Sequence, residues 1–232
     1  MKVFGKSPKS NMNRPSIDLV IFDCDGVLVE SEPLACRVYI QMFEEYGYQL
    51  DYAETLREFH GVTLPERLEA TSEKLDWTPP ENFIPIFNER LSALTERELR
   101  PVAGVHELIE SLTVPICVAS NGSRDEITLR LKVANLTHYF GDAVFSGMEV
   151  PKPKPAPDVF LAAAQTFLAD PARCIVIEDS VLGVTAAMEA GMKVYGHAAL
   201  TSAESLRAAG AIPFASMREL KEILGGEYSA AQ

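Results

Sequence analysis

Residues 17–28 read IDLVIFDCDGVL, in which a short apolar run stops abruptly at Asp23 and Asp25. The run is rich in branched aliphatic side chains and ends in an aromatic one, which predicts a strand buried on both faces, as in a parallel sheet. Open α/β sheets bind their ligands beyond the carboxyl ends of their strands. The two aspartates therefore fall where such a protein would place functional groups.

Two carboxylates this close together repel each other unless a cation or a shared proton lies between them. A magnesium ion held between a carboxylate and a phosphate meets that need, and Gly26 would let the backbone turn sharply or approach a ligand closely. Aspartate and glycine are also common in turns, so the same residues fit a strand-end turn with solvated charges. This stretch alone leaves both interpretations open.

The composition limits the classes of function that remain. The chain has 232 residues, 47% hydrophobic and 23% charged, enough for one domain with an insert or for two small domains. Its net charge of −12 argues against nucleic acid or an anionic membrane as partner, and no apolar run is long enough to span a bilayer. The four cysteines form no CxxC pair, so we expect them to be reduced core residues of a cytoplasmic protein. We also expect the protein to be a monomer.

The chain is expected to divide into three parts. Residues 1–15 mix basic residues with Gly, Ser, Pro and Asn, and are predicted to be a disordered extension, with a functional basic arm as the alternative. Residues 33–99 carry apolar side chains at helical spacing and are predicted to be an α-helical cap. Strands alternate with helices over 16–32 and 100–225, which predicts a doubly wound α/β core with a parallel sheet.

Within that core the later elements can be placed by their apolar runs. Further strands are expected over residues 114–119, 143–145, 174–177 and 193–195. Peripheral helices are expected over 205–209 and 217–224, with a tail from residue 225.

Polar residues follow these strands at one predicted edge of the sheet. Ser120 and Asn121 stand between the second strand and a helix that opens with a capping box, a position that favours phosphate. Prolines stiffen the loop that carries Lys154, and Glu178 with Asp179 ends the fourth strand. Each group by itself fits a helix cap or a surface linker. Four polar groups at one edge of a sheet indicate a site.

These residues resemble, in order, the four motifs of the haloacid dehalogenase-like (HAD) superfamily. The motifs are residues 22–28, Ser120, Lys154, and residues 178–180 with Gly183. The resemblance covers nearly all of the chain from residue 17 to about residue 200, and implies a Rossmann-like core with a C1-type helical cap inserted after the first strand. Pro153 replaces a glycine that often precedes the lysine, which leaves Lys152 as a second candidate.

The resemblance implies an aspartyl-phosphate mechanism. Asp23 would attack phosphorus, and Asp25 would protonate the leaving alcohol and later deprotonate the attacking water. The phosphoryl oxygens would be bound by Ser120, Asn121 and Lys154, and Mg²⁺ would be held by Asp23, the main-chain carbonyl of Asp25, Asp179, and Glu178 either directly or through water.

The residues at three positions distinguish this chain from other branches of the superfamily. Haloacid dehalogenases usually lack the second aspartate, whereas Asp25 is present. Phosphonate hydrolases use a lysine of the cap near the position of Leu64, but the lysine of this insert is Lys74, far from that place. Mutases of the β-phosphoglucomutase branch carry a histidine at the hinge, near the position that Ala35 occupies here. We expect a magnesium-dependent phosphatase that resembles the bacterial 6-phosphogluconate and small sugar-phosphate phosphatases. A phosphosugar mutase and a non-catalytic binding protein on the same fold are the alternatives.

The cap is expected to select the substrate. Gly61 and Arg67, together with His60 and Arg37, are the candidates to meet the sugar end, because arginine suits a carboxylate or hydroxyl groups. The alternative is that these are surface charges on an amphipathic helix.

Overall fold

A parallel sheet forms the centre of the fold. The structure is a computed structural model that describes residues 17–59 and 62–229. In this part of the chain the sheet has six strands in the order β3-β2-β1-β4-β5-β6, and every neighbouring pair is parallel. The strands are β1 (Leu19–Phe22), β2 (Ile116–Ser120), β3 (Val144–Ser146), β4 (Cys174–Glu178), β5 (Lys193–His197) and β6 (Ile212–Phe214).

The first strand occupies the middle of this sheet, between β2 and β4. All four residues of β1 are fully buried, and alternate side chains enter the hydrophobic clusters on the two faces of the sheet. The prediction of a strand buried on both faces is confirmed. Because β1 is central, the residues that follow it emerge at the middle of the carboxyl edge.

Helices cover both faces of the sheet, as the doubly wound class requires. Apolar side chains of α5, α6 and α11 pack on one face, and those of α8, α9 and α10 pack on the other. The helices after residue 104 are α5 (Val105–Ser111), α6 (Arg124–Val133), α7 (Thr137–Phe140), α8 (Asp158–Thr166), α9 (Val181–Glu189), α10 (Ala203–Ala209) and α11 (Met217–Ser229).

Four helices lie between β1 and α5, and we call them the cap: α1 (Glu32–Glu45), α2 (Tyr52–Phe59), α3 (Leu64–Leu75) and α4 (Phe83–Glu98). Tyr39 and Phe43 of α1 pack against Phe83 of α4, with ring centroids 6.1 and 5.5 Å away. The two linkers to the cap run side by side, because Glu30 N–H donates to the Arg100 carbonyl at 3.0 Å. The cap is thus joined to the sheet through a narrow, paired connection.

Two expectations about the end of the chain were wrong. Strand β6 was not predicted, because it has only three residues at a sheet edge and contains Pro213, which reads as a turn. The tail expected from residue 225 continues α11 as far as Ser229. Glycine disfavours a helix by only about 1 kcal/mol per residue, and buried Leu220 and Leu224 anchor the preceding turns.

All four cysteines are free and buried, as predicted. The extension over residues 1–15 lies outside the described residues. Of the helices in the described ranges, none combines the length and the apolar character needed to cross a membrane.

Candidate active site

A buried ammonium group joins two of the predicted motifs. Lys154 Nζ lies 2.6 Å from Asp23 Oδ1 and 2.7 Å from Glu178 Oε1, and it donates a third hydrogen bond to the Ala119 carbonyl at 2.9 Å. Asp23 follows β1 and Glu178 ends β4, so the neighbouring strands present both acids at one edge. The lysine reaches them from the loop after β3.

The structure selects Lys154 over Lys152, because the Lys152 side chain is exposed whereas that of Lys154 is buried. Asn121 fixes the lysine loop: its Nδ2 donates to the Lys154 carbonyl at 3.1 Å, and its Oδ1 accepts from Lys154 N–H at 2.9 Å. We therefore assign the Asn121 amide group to positioning Lys154. A contribution of this residue to phosphate binding would come from its main-chain N–H.

Ser120 lies at the carboxyl end of β2 and is buried. Its Oγ accepts a hydrogen bond from Gly122 N–H at 3.2 Å, and such a hydroxyl can still donate its own hydrogen. The expected capping box is present, because Ser123 and Glu126 cap each other's N–H groups at the start of α6. The end of β2 thus meets a helix amino terminus, where an anion is favoured.

The fourth motif lies against the first. Gly26 has a φ of +70°, and a Cβ at this position would come within 1.7 Å of Asp179 Oδ2. Only glycine therefore lets the Asp179 carboxylate approach the loop after β1. His197, at the end of β5, holds the same loop, because its Nδ1 lies 2.8 Å from the Gly26 carbonyl oxygen.

Glu178 is held more tightly than the sequence implied. Its Oε2 accepts hydrogen bonds from Asp179 N–H and Ser180 N–H, both at 2.9 Å, and from Ser180 Oγ at 3.0 Å. A Cβ on Gly183 would lie 1.7 Å from Glu178 Oε1, so the first turn of α9 also needs a glycine. Since Lys154 takes the other oxygen, Glu178 acts here first as the partner of the lysine.

Burial and the charges of neighbouring groups shift the pKa values of the acids in this site. Burial raises the pKa of Asp23 to about 7; Lys154 opposes the shift, whereas Glu178 and Asp25 add to it. Burial also raises the pKa of Asp179 well above its ordinary value, and Glu32 is the next largest cause. Burial alone would raise the pKa of Glu178. The charge and hydrogen bond of Lys154, together with the main-chain hydrogen bonds from Ser180 and Asp179, outweigh it and hold that pKa below its ordinary value.

Three residues that the sequence did not single out as site residues also face this cluster. Asp25 Oδ2 accepts from Arg130 at 3.1 Å, and Asp25 Oδ1 accepts from Ser31 Oγ. Glu32, in the first turn of α1, has its pKa raised to about 8 by burial and by Asp25. Ser31 and Glu32 could have been suspected from their closeness to the first motif, but Arg130 carried no signal.

The chemistry of this site fits a hard divalent cation. Carboxylate and carbonyl oxygens are the ligands that Mg²⁺ prefers. Burial, and after it the neighbouring acids, raise the pKa values of Asp23 and Asp179, so a further positive charge would be favourable beside these two carboxylates. Among the described residues, no three His, Cys, Asp or Glu side chains form a ready ligand set. A cation would then be held by the carboxylates of Asp23 and Asp179 together with the Asp25 main-chain carbonyl.

We expect Mg²⁺ to stabilise the folded protein by about 2.7 kcal/mol at a concentration of about 100 Kd, measured as a shift of the thermal midpoint. The shift should be lost in Asp179→Asn and kept in Glu189→Gln, an exposed acid on the neighbouring helix. An equal shift in Asp179→Asn would contradict the assignment of this ligand.

The same acids predict a dependence on pH. Because the raised pKa of Asp23 lets the folded state keep a proton that the unfolded state has released, metal-free stability should fall as pH rises from about 4 to about 7. Protons compete with the cation in this range, so the stabilisation by Mg²⁺ should grow as the pH rises. Thermal melts at several pH values, with and without Mg²⁺, measure both trends.

The cap candidates lie apart from this cluster. Arg67 of α3 is mostly buried, pairs with Glu58 of α2, and lines a cavity of about 170 Å³ between the cap helices. Its buried Nε has no hydrogen-bond partner among the described residues. Arg37 forms an exposed ion pair with Glu98 at 2.7 Å. Gly61 and His60 lie outside the described residues.

This arrangement is that of a Rossmann-like enzyme whose site lies at the carboxyl edge of the sheet, beside a helical cap. The chain belongs to the haloacid dehalogenase-like hydrolases, because the model of that family matches residues 20–197. The family and the fold class expected from the sequence are both confirmed.

Relatives of this chain are named phosphatases. It is 35% identical over 183 residues to the 6-phosphogluconate phosphatase of Escherichia coli K12, covering 77% of this chain and 81% of that protein. It is 33% identical over 215 residues to the phosphorylated carbohydrates phosphatase of Thermotoga maritima, covering 90% and 98%. A HAD family hydrolase of Deinococcus radiodurans, solved with bound phosphate and sodium, is 32% identical with a TM-score of 0.81, covering 92% and 97%. The expected enzyme class, a HAD-type phosphatase, is confirmed.

Proposed function

We propose that this protein is a magnesium-dependent phosphatase of small sugar phosphates, with phosphorylated sugar acids such as 6-phosphogluconate as the first candidates. The observation that carries the proposal is the buried contact of Lys154 Nζ with Asp23 Oδ1 at 2.6 Å. It keeps a cation beside the acid that has to attack an anionic phosphate. The named substrates of the 35% and 33% identical relatives support the substrate class.

In the first chemical step, an Asp23 oxygen forms a bond to phosphorus while the bond from phosphorus to the substrate's ester oxygen breaks. Asp25 gives its proton to that ester oxygen, so the sugar leaves as a neutral alcohol. Lys154 and Ser120 bind the phosphoryl oxygens and stabilise the charge that spreads over them in the transition state. The product of this step is an aspartyl-phosphate, an acyl phosphate formed on the Asp23 side chain.

In the second step, water attacks phosphorus and the bond to Asp23 breaks, which restores the carboxylate and releases phosphate. Asp25, now ionised, takes the proton of the attacking water. A bound Mg²⁺, held by Asp23, Asp179 and the Asp25 carbonyl, would supply charge neutralisation between the nucleophile and the phosphate. Glu178 would keep Lys154 in place, and would contact the metal through water at most.

A screen of phosphate release from a panel of sugar phosphates, with and without Mg²⁺, tests the proposal. We expect release that depends on Mg²⁺ and is highest with phosphorylated sugars or sugar acids. An isomeric sugar phosphate in place of free phosphate would favour the mutase alternative. Binding of sugar phosphates without turnover would favour the binding-protein alternative.

We also propose that Gly61 and Arg67 belong to the part of the cap that recognises the sugar. Arg67 is held by Glu58, so its direction is fixed, and the residue lines the cavity between α2 and α3. Arg67→Met should raise KM for the preferred sugar phosphate by about tenfold, the value of one lost hydrogen bond to a charged group. KM for acetyl phosphate should stay unchanged, as it should for both substrates in the exposed control Arg57→Met. An equal rise for both substrates in Arg67→Met would assign Arg67 to cap stability.

A further inference from the structure

A buried arginine from a distant helix is bound to the second aspartate of the first motif. Arg130, in the last turn of α6, donates a hydrogen bond to Asp25 Oδ2 at 3.1 Å, and only 13% of its side chain is exposed. Burial acts to lower the pKa of Arg130, but Asp25 and the acids beside it raise it above its usual value. The guanidinium is therefore a permanent positive charge beside Asp25.

The other oxygen of the same carboxylate has a different partner. Asp25 Oδ1 accepts a hydrogen bond from Ser31 Oγ, at the residue before α1. Ser31 makes no cap hydrogen bond to its own helix, although serine is well suited to that role. One oxygen of Asp25 is thus bound by the core and the other by the linker to the cap.

Arg130 also lies where the cap meets the core. Helix α4 packs on α6, and the two enclose a small cavity of about 40 Å³. The cavity is lined by Asn88, Leu91, Ser92 and Thr95 of α4 and by Glu126, Leu129 and Arg130 of α6. On its other side, Arg130 approaches the loop after β2, because a Cβ at Gly122 would lie 3.2 Å from its Nη1. The guanidinium is therefore hydrogen-bonded to Asp25 and lies beside both the α4–α6 interface and the loop expected to bind phosphate.

We propose that Arg130 is the positioning residue for Asp25, and that it holds this carboxylate in place for proton transfer while α4 covers the site. The inference rests on the proposed function, in which Asp25 transfers the protons. An aspartate side chain rotates freely unless an oxygen is held, and a guanidinium can hold one without competing for the proton. When Asp25 gives its proton to the ester oxygen it becomes an anion, and Arg130 stabilises that charge.

The leaving group of the substrate provides the test. A sugar alkoxide needs a proton as it leaves, whereas p-nitrophenolate does not. We expect Arg130→Met to lower kcat/KM for the preferred sugar phosphate by about 100-fold, the lower end of what general acid catalysis provides. For p-nitrophenyl phosphate the loss should be about fivefold or less, because the same step then needs little proton transfer. A merely structural role would lower both values together.

Two further variants complete the experiment. The control is Arg124→Met, because Arg124 lies on the same helix and pairs with exposed Glu149 at 2.7 and 2.5 Å. This variant should leave both kcat/KM values unchanged. Arg130→Lys keeps the charge and should recover part of the activity toward the sugar phosphate only. If Arg130→Met does not melt cooperatively, Arg130→Lys is used instead, and the loss of kcat/KM for the sugar phosphate is again compared with the loss for p-nitrophenyl phosphate.

The outcomes separate the two proposals. Wild-type protein that releases no phosphate from either substrate would contradict the proposed function. A wild type that hydrolyses both, with an equal loss or no loss for the two substrates in the Arg130 variants, would overturn the positioning role alone. A loss confined to the sugar phosphate supports it.

Discussion

Replacement of Asp23 by asparagine is expected to lower kcat for phosphate release by at least about 10³-fold, because an amide cannot form the covalent bond to phosphorus. The fold should survive the change. Burial already raises the pKa of Asp23 to about 7, so a neutral side chain of the same shape suits this position. At a pH above 7 and without metal, the variant should be at least as stable as the wild type.

Phosphate release with saturating substrate and Mg²⁺ measures this effect, and chemical unfolding checks the fold. The matched control is Asp18→Asn, at the opposite end of β1, where Asp18 forms a half-exposed ion pair with Arg173 at 2.6 Å. Its kcat should stay within about twofold of wild type, since surface changes seldom reach a distant site. Full activity in Asp23→Asn would exclude the nucleophile assignment.

Replacement of Lys154 by methionine is the second change of large expected effect. It removes the cation between Asp23 and Glu178 and leaves two acids buried together. Breaking a buried pair from one side costs about 3–5 kcal/mol of folding free energy, so the variant should unfold at much lower denaturant concentration. The free energy of binding the phosphoryl group is lost as well, and we expect kcat/KM to fall by about 10³-fold or more.

Lys152→Met is the natural control for this experiment. Lys152 lies two residues earlier on the same loop, has the same charge, and is exposed to solvent. Its removal should change neither the unfolding midpoint nor kcat/KM beyond the usual range for a surface site, about 0.5 kcal/mol. A larger loss of activity in Lys152→Met than in Lys154→Met would reverse the choice between the two lysines.

The elements that could be predicted depend on local pattern. The strand before Asp23 is a short apolar run, and the start of α6 is a capping box formed by residues three positions apart. Strand β6 lacked such a signal, because three residues with a central proline have no usable period. The last turns of α11 were missed because Gly225 and Gly226 are typical of the end of a helix.

The candidate site divides in a similar way. Lys154 could be predicted because residues 154–158 resemble the third motif of the family, although the sequence left Lys152 as a second candidate. Arg130 and His197 could not, since each is an ordinary residue in an ordinary helix or strand, and acquires its role only through contact with a residue more than 100 positions away.

The sequence by itself determined the order of the first five strands along the chain, the acids at the ends of β1 and β4, and the family to which the chain belongs. The strands and the acids follow from short-range patterns of burial, turn chemistry and charge, which do not depend on how the chain packs. The family follows from the resemblance of the four motifs. Only the tertiary structure decided which lysine meets Asp23, that Glu178 binds that lysine, and that Arg130 and Ser31 bind Asp25. Such contacts depend on how sheet, helices and cap pack in space, and packing brings together side chains that no spacing in the sequence connects.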